Sequence, residues 1–169
     1  LVFIINGDIF VFYISYEFMS GLVFFVMYLT SNSRGAVEAI LFFLSWAIVG
    51  SILVGIGVIY MITVSQTRLF NEILRWQFTP NESYYLFILF FFGFGTKLSL
   101  WPFWYWLPRA HVEVSTGMSI FLSCILIKVC LYGLIRTFSL VGGLVPFLPF
   151  VFFIGLGIFD VASRLINQI

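Results

Sequence analysis

The chain has 169 residues, of which 62% are apolar, 21% aromatic and 9% charged, and its formal net charge is +1. An ordinary soluble domain carries about a quarter charged residues, so water cannot be the solvent for most of this surface. The scattered Lys and Arg residues form no basic patch, which excludes nucleic acid as an expected partner.

Five apolar stretches predict an all-α, polytopic membrane protein with about five transmembrane helices in a single domain over residues 1–169. A membrane span needs about 20 apolar residues, and the mean hydropathy of the chain is +1.13. The stretches cover approximately residues 9–29, 39–64, 84–107, 115–138 and 144–166. Lys and Arg residues are balanced between alternate connections, so the positive-inside rule gives no orientation.

The connection between the second and third spans and the third span itself each predict a specific helical structure. In the connection at residues 65–83, Leu69, Ile73 and Trp76 recur near helical period, which predicts a surface helix at the membrane interface. In the third span, the glycines around Lys97 and the proline at position 102 predict a broken helix, because proline removes a backbone hydrogen bond.

The ends and the cysteines of the chain carry weaker signals. The first residues lack a basic segment before a short apolar run, so we expect no signal peptide. The 23 Phe residues suit an AT-rich organellar gene, because Phe codons are rich in T. Cys124 and Cys130 lie on different faces of one apolar segment, which predicts buried small residues rather than a disulfide or a metal site.

Three ionisable residues fall inside the predicted spans. Glu17 lies near the middle of the first span, Lys97 beside the predicted break, and Lys128 near the middle of the fourth span. Such a residue costs about 2.5 to 3.5 kcal/mol at a helix centre on insertion scales, so it needs a partner, a water-filled cavity or a function.

Each of these charges has a structural and a functional interpretation. Glu17 and Lys97 either form an ion pair that orders helix packing, or the carboxylate controls the charge of the lysine, since desolvation disfavours the ammonium and a nearby carboxylate favours it. Lys128 has no carboxylate in its own span, so it either extends to the interface or meets water or another helix.

His111, the single histidine, lies between the third and fourth spans. A neutral imidazole can accept and donate a proton near physiological pH, but a lone histidine is commonly just hydrogen bonded in place. We therefore predict proton transfer by Glu17, Lys97, His111 and Lys128, with no catalytic redox residue and no metal ligand in this chain.

The chain resembles the antiporter-like membrane subunits of respiratory complex I, NADH:ubiquinone oxidoreductase. The resemblance rests on residues 97–102 (KLSLWP), 106–113 (WLPRAHVE) and 127–136 (IKVCLYGLIR), and more loosely on Tyr16 and Glu17. It implies a fourteen-helix fold with broken helices at symmetry-related sites, of which this chain would form roughly the fifth to ninth helices.

The resemblance also implies roles for the four ionisable residues. Glu17 resembles the family's fifth-helix glutamate, Lys97 the lysine of its broken seventh helix, His111 the histidine of the linking loop, and Lys128 the eighth-helix lysine. The first four helices and the second half, with its twelfth-helix charged residue, have no counterpart in the sequence. We therefore expect one piece of a split subunit that docks against another polypeptide.

The function that follows as an expectation is proton translocation in the mitochondrial inner membrane, as a subunit of the NADH-oxidising complex. Two cysteines and one histidine cannot hold an iron–sulfur cluster, so FMN, iron–sulfur clusters, NADH and ubiquinone are expected on other membrane-arm or peripheral subunits. The alternatives are a subunit of a multisubunit cation/proton antiporter or membrane-bound hydrogenase, and a structural fragment that only fills the membrane arm.

Overall fold

A computed structural model of the chain describes residues 7–31, 34–98, 117, 120 and 122–141. This part of the chain is helical, which confirms the predicted all-α class. The elements in chain order are α1 (Ile9–Thr30), α2 (Arg34–Ser65), the short α3 (Phe70–Ile73), α4 (Pro80–Leu98), a π-helical turn (Leu122–Leu126) and α5 (Ile127–Val141).

Three of the described helical segments are long and apolar enough to cross a membrane: Ile9–Thr30, Arg34–Ser65 and Cys124–Val141. They correspond to the predicted first, second and fourth spans. Helix α4 forms the beginning of the predicted third span, whereas Pro102 and the predicted fifth span at residues 144–166 lie outside the described residues.

The predicted surface helix at residues 65–83 is much shorter than expected. Between the end of α2 at Ser65 and the start of α4 at Pro80, only the four residues of α3 are helical, with Ile73 buried and Leu69 and Trp76 exposed. The reason is that the segment before α3 is held by backbone bonds to the start of α1. The amide of Ile9 donates to the carbonyl of Arg68 at 2.9 Å, and the amide of Phe70 donates to the carbonyl of Gly7 at 2.8 Å.

Side chains near the helix ends bond the backbone groups that a helix leaves unsatisfied. Asp8 caps α1, because its Oδ1 accepts from the amide of Phe10 at 2.8 Å. At the start of α4, Thr79 and Glu82 form a reciprocal capping box: Glu82 Oε2 accepts from the amide of Thr79 at 2.8 Å, and Thr79 Oγ1 accepts from the amide of Glu82 at 3.5 Å.

Helix α4 packs against both α2 and α5. Glycines permit the close approach: a Cβ on Gly93 would lie 2.6 Å from Val54 Cγ2 and 3.2 Å from the carbonyl oxygen of Gly50, and one on Gly133 would lie 2.7 Å from Phe94 Cε1. Small residues at helix crossings let backbones meet in this way in membranes. As a result, the lysine near the carboxyl end of α4 is enclosed by its neighbours.

Candidate functional site

An ion pair joins α1 to α4. Lys97 Nζ donates to Glu17 Oε1 at 3.3 Å. The side chain of Lys97 is 1% exposed and that of Glu17 is 27% exposed. Glu17 lies in the middle of α1 and Lys97 in the last turn of α4, so the tertiary fold brings together two charges that are 80 residues apart in the sequence.

Residues of α1 also provide the other partners of the Lys97 ammonium. Ser20 Oγ accepts from Lys97 Nζ at 3.2 Å and itself donates to the carbonyl of Glu17 at 2.9 Å. The centroid of the Tyr16 ring lies 3.9 Å from Lys97 Nζ, a cation–π contact. An ammonium has three N–H donors, and this site offers two oxygens and one aromatic face to them.

The second carboxylate oxygen of Glu17 faces α2. Ser51 Oγ lies 2.5 Å from Glu17 Oε2 and 2.7 Å from the carbonyl oxygen of Ala47. One helical turn before Glu17, the hydroxyl of Tyr13 donates to the carbonyl oxygen of Ser51 at 3.2 Å. The carboxylate is therefore held between an ammonium on α4 and a hydroxyl on α2.

A small cavity lies beside Lys97 on the side of the π-helical turn and α5. Its volume is about 10 Å³, close to the least space that holds one ordered water. It is lined by Tyr16, Met19, Ser20, Lys97, Leu126, Val129 and Cys130. Isolated π-helical turns occur frequently at functional sites. The cavity thus brings the buried ammonium next to the helix that carries Lys128.

Cys124 differs from the expectation of burial, and Lys128 lies on an uncovered face of its helix. Both are exposed among the described residues, whereas Cys130 is buried as predicted. The reason is helical geometry: Lys128 lies two positions from the buried Cys130, which puts it on about the opposite face of α5. The described helices leave its side chain uncovered. His111 lies outside the described residues.

The sequence had indicated the charged pair but not the groups around it. Ser20 and Tyr13 lie three and four positions from Glu17, and this spacing places them on the same face of a helix. This spacing could have indicated both residues as neighbours of Glu17 from the sequence alone. Ser51 is 34 residues from Glu17, and no local pattern links the two positions.

Comparison with known proteins provides independent information on the family of the chain. The family model described as NADH:quinone oxidoreductase/Mrp antiporter, transmembrane, matches residues 6–160. A protein of Paramecium tetraurelia named NADH-ubiquinone oxidoreductase chain 4 is 33% identical over 139 residues, which cover 82% of this chain and 29% of that protein. NADH-quinone oxidoreductase subunit M of Rhodobacter capsulatus is 29% identical over 148 residues, covering 79% of this chain and 28% of that protein.

A solved structure has the same arrangement of helices. A chain of respiratory complex I from Thermus thermophilus with bound NADH superposes with a TM-score of 0.72 and 25% identity, over 80% of this chain and 30% of that chain. The fold described above is thus that of an antiporter-like subunit. The present chain spans about three tenths of the length of these relatives.

Proposed function

This chain belongs to the NADH:quinone oxidoreductase/Mrp antiporter transmembrane family, and from that premise we propose that it translocates protons as part of the membrane arm of mitochondrial NADH:ubiquinone oxidoreductase. The observation that carries the proposal is the Glu17–Lys97 ion pair, in which an almost fully enclosed ammonium meets a carboxylate from another helix. Ionisable groups inside a membrane domain characteristically mark ion pathways and proton relays.

The pair works as a proton-loading device in this proposal. When Glu17 is ionised, it stabilises the charged form of Lys97. When Glu17 gains a proton or its side chain moves away, desolvation favours loss of a proton from Lys97 Nζ. The adjoining cavity, which also touches Leu126 and Val129 of the neighbouring segment, offers the proton a way out toward α5.

His111 and Lys128 continue the proposed relay. The sequence puts His111 in the loop between the two lysine-bearing helices, and its imidazole can both accept and donate a proton. Lys128 is exposed among the described residues, and an ammonium facing lipid is costly, so we infer that further helices of the assembly cover it.

The assembly and its location are part of the same proposal. The relatives named chain 4 include proteins of Paramecium tetraurelia and Arabidopsis thaliana, which supports the mitochondrial inner membrane as the site of action. Other membrane-arm subunits, including one that supplies the remaining helices of the fold, are the proposed partners. FMN, iron–sulfur clusters, NADH and ubiquinone would be bound by those other subunits.

A glutamine at position 17 tests the proposal, because it keeps the shape of the side chain and removes its negative charge. In vesicles containing the assembled complex, Glu17→Gln should lower the number of protons pumped per NADH oxidised about tenfold, because the carboxylate that stabilises the charged form of Lys97 is lost. Glu38→Gln is the matched control, since Glu38 is an exposed carboxylate on α2. Full proton stoichiometry in Glu17→Gln would contradict the proposal.

A second function remains open because the family model also covers Mrp antiporters. In that case the same buried pair would exchange a cation for protons. Purified assemblies separate the two: Na⁺/H⁺ exchange without NADH oxidation would favour the antiporter, and NADH-driven pumping without Na⁺ dependence would favour the complex I subunit.

A further inference from the structure

Ser51 touches the carboxyl group of Glu17 from the side opposite Lys97. We propose that Ser51 is a positioning residue that keeps the Glu17 carboxyl hydrogen bonded both when it is ionised and when it is protonated. The inference rests on the proposed function, in which Glu17 changes its protonation state, and it adds a residue and a role that the ion pair alone does not supply.

The hydroxyl of Ser51 has a choice of two acceptors. Its oxygen lies 2.5 Å from Glu17 Oε2 and 2.7 Å from the carbonyl oxygen of Ala47, both within hydrogen-bond reach. A serine hydroxyl has a single proton to donate and two lone pairs with which to accept. It can therefore donate to only one of these oxygens at a time, and its rotation selects which.

The two acceptors of the Ser51 hydroxyl correspond to the two protonation states of the Glu17 carboxyl group. When the carboxylate is ionised, Ser51 donates its proton to Glu17 Oε2, and Lys97 donates to Oε1. When the carboxyl is protonated on Oε2, that O–H donates to a lone pair of Ser51 Oγ, and Ser51 turns its own proton to the carbonyl of Ala47. No heavy atom has to move, and the added proton resides on Glu17 Oε2.

The position of Ser51 relative to Glu17 is fixed by a second bond from α1. The hydroxyl of Tyr13 donates to the carbonyl oxygen of Ser51 at 3.2 Å. Tyr13 has room to do so because position 55 is glycine, where a Cβ would lie 2.8 Å from the Tyr13 hydroxyl oxygen. Two atoms of Ser51 are thus bonded to α1, at Tyr13 and at Glu17, which lie one helical turn apart.

Neighbouring serines show what is particular to position 51. Ser45, also on α2, donates to the carbonyl of Leu41 at 2.9 Å and is exposed. Ser20 accepts from Lys97, so it serves the ammonium rather than the carboxyl. Among the described residues, Ser51 is the hydroxyl whose side-chain oxygen is bonded to the carboxyl group of Glu17.

The test uses infrared difference spectra of the assembled complex during pH titration. The C=O stretch of protonated Glu17 is assigned by its disappearance in Glu17→Gln. We expect Ser51→Ala to shift the frequency of this band and to lower pumping per NADH about tenfold. Ser51→Thr keeps a hydroxyl on the same Cβ and should retain both the band and the pumping, and Ser45→Ala should match the unmodified protein.

Ser51→Cys provides a second variant should the alanine variant fail to assemble, because a thiol fills the site but is a weak hydrogen-bond partner. It should shift the band as well. An unshifted band in both the Ala and Cys variants, or no acid band for Glu17 at any pH, would overturn the role of Ser51. A band that is shifted in the Ser51 variants would support the role of Ser51 even if Glu17→Gln pumps protons at the full stoichiometry. That combination of results would overturn the proposed function instead.

Discussion

Lys97 Nζ and Glu17 Oε1 are 3.3 Å apart, yet the two side chains differ sharply in exposure, with 1% for the lysine and 27% for the glutamate. The described helices therefore enclose the ammonium almost completely and leave part of the carboxylate open. Within the described part of the chain, Glu17 and the small cavity on the α5 side both adjoin the Lys97 ammonium. The asymmetry makes Glu17 the more accessible member of the pair.

Removal of both members of the pair should destabilise the protein less than the two single removals added together. Glu17→Ala leaves the enclosed Lys97 ammonium without its counter-charge, and a fully buried pair broken in this way loses about 3 to 5 kcal/mol. The partial exposure of Glu17 reduces that loss to about 2 kcal/mol. Glu17→Ala combined with Lys97→Met should be less destabilising than the sum of the two single changes.

The measurement for this cycle is the temperature at which the heated complex releases the chain, followed on native gels. Strict additivity of the two substitutions would show that the ion pair contributes no coupling energy.

Substitutions of Lys128 distinguish a role in proton transfer from a role that needs only its positive charge. Lys128→Arg preserves the positive charge and hence any docking to an acidic partner, but a guanidinium is not deprotonated in proteins. We expect both Lys128→Arg and Lys128→Ala to lower NADH-driven pumping about tenfold or more, with the complex still assembled. Pumping is measured in vesicles and assembly on native gels. Normal pumping in an assembled Lys128→Arg complex would restrict Lys128 to a structural role.

His111 is predicted to carry protons between the two lysines, since its imidazole both accepts and donates near neutral pH. Replacement by alanine should slow pumping about tenfold while NADH oxidation measured with the membrane uncoupled changes little. The comparison of coupled and uncoupled rates is the measurement. An unimpaired pumping rate in His111→Ala would indicate that the histidine only packs in its loop.

The close contact of α2 with α4 should be sensitive to a single methyl group. A Cβ on Gly50 would lie 2.6 Å from the carbonyl oxygen of Gly93, so Gly50→Ala has to push the two backbones apart, and overpacking of this kind costs about 1 to 3 kcal/mol. We expect less assembled complex on native gels. Gly21→Ala is the matched control, because nothing lies within 4 Å of its Cβ position. Equal loss in both variants would refute the steric explanation.

Much of the fold could be predicted because membrane spans are long and apolar, and hydropathy alone locates α1, α2 and the α5 segment. The pairing of Glu17 with Lys97 could also be anticipated, since a charge in lipid requires a partner. What the sequence did not determine is which face of each helix points inward. That is why the exposure of Cys124 was predicted wrongly, and why Ser51 was missed.

The backbone bridge between Asp8 and Leu69 has a consequence for the distant carboxyl site. It joins the beginning of α1 to the segment that follows α2, and so prevents the two helices from sliding along each other. Glu17 lies nine residues beyond Asp8, about 13 Å along the helix axis, and a slip of one residue would displace it by about 1.5 Å. A displacement of that size exceeds the tolerance of a hydrogen bond, so a short pair of amide–carbonyl contacts at the edge of the bundle sets the alignment of Glu17 with Ser51.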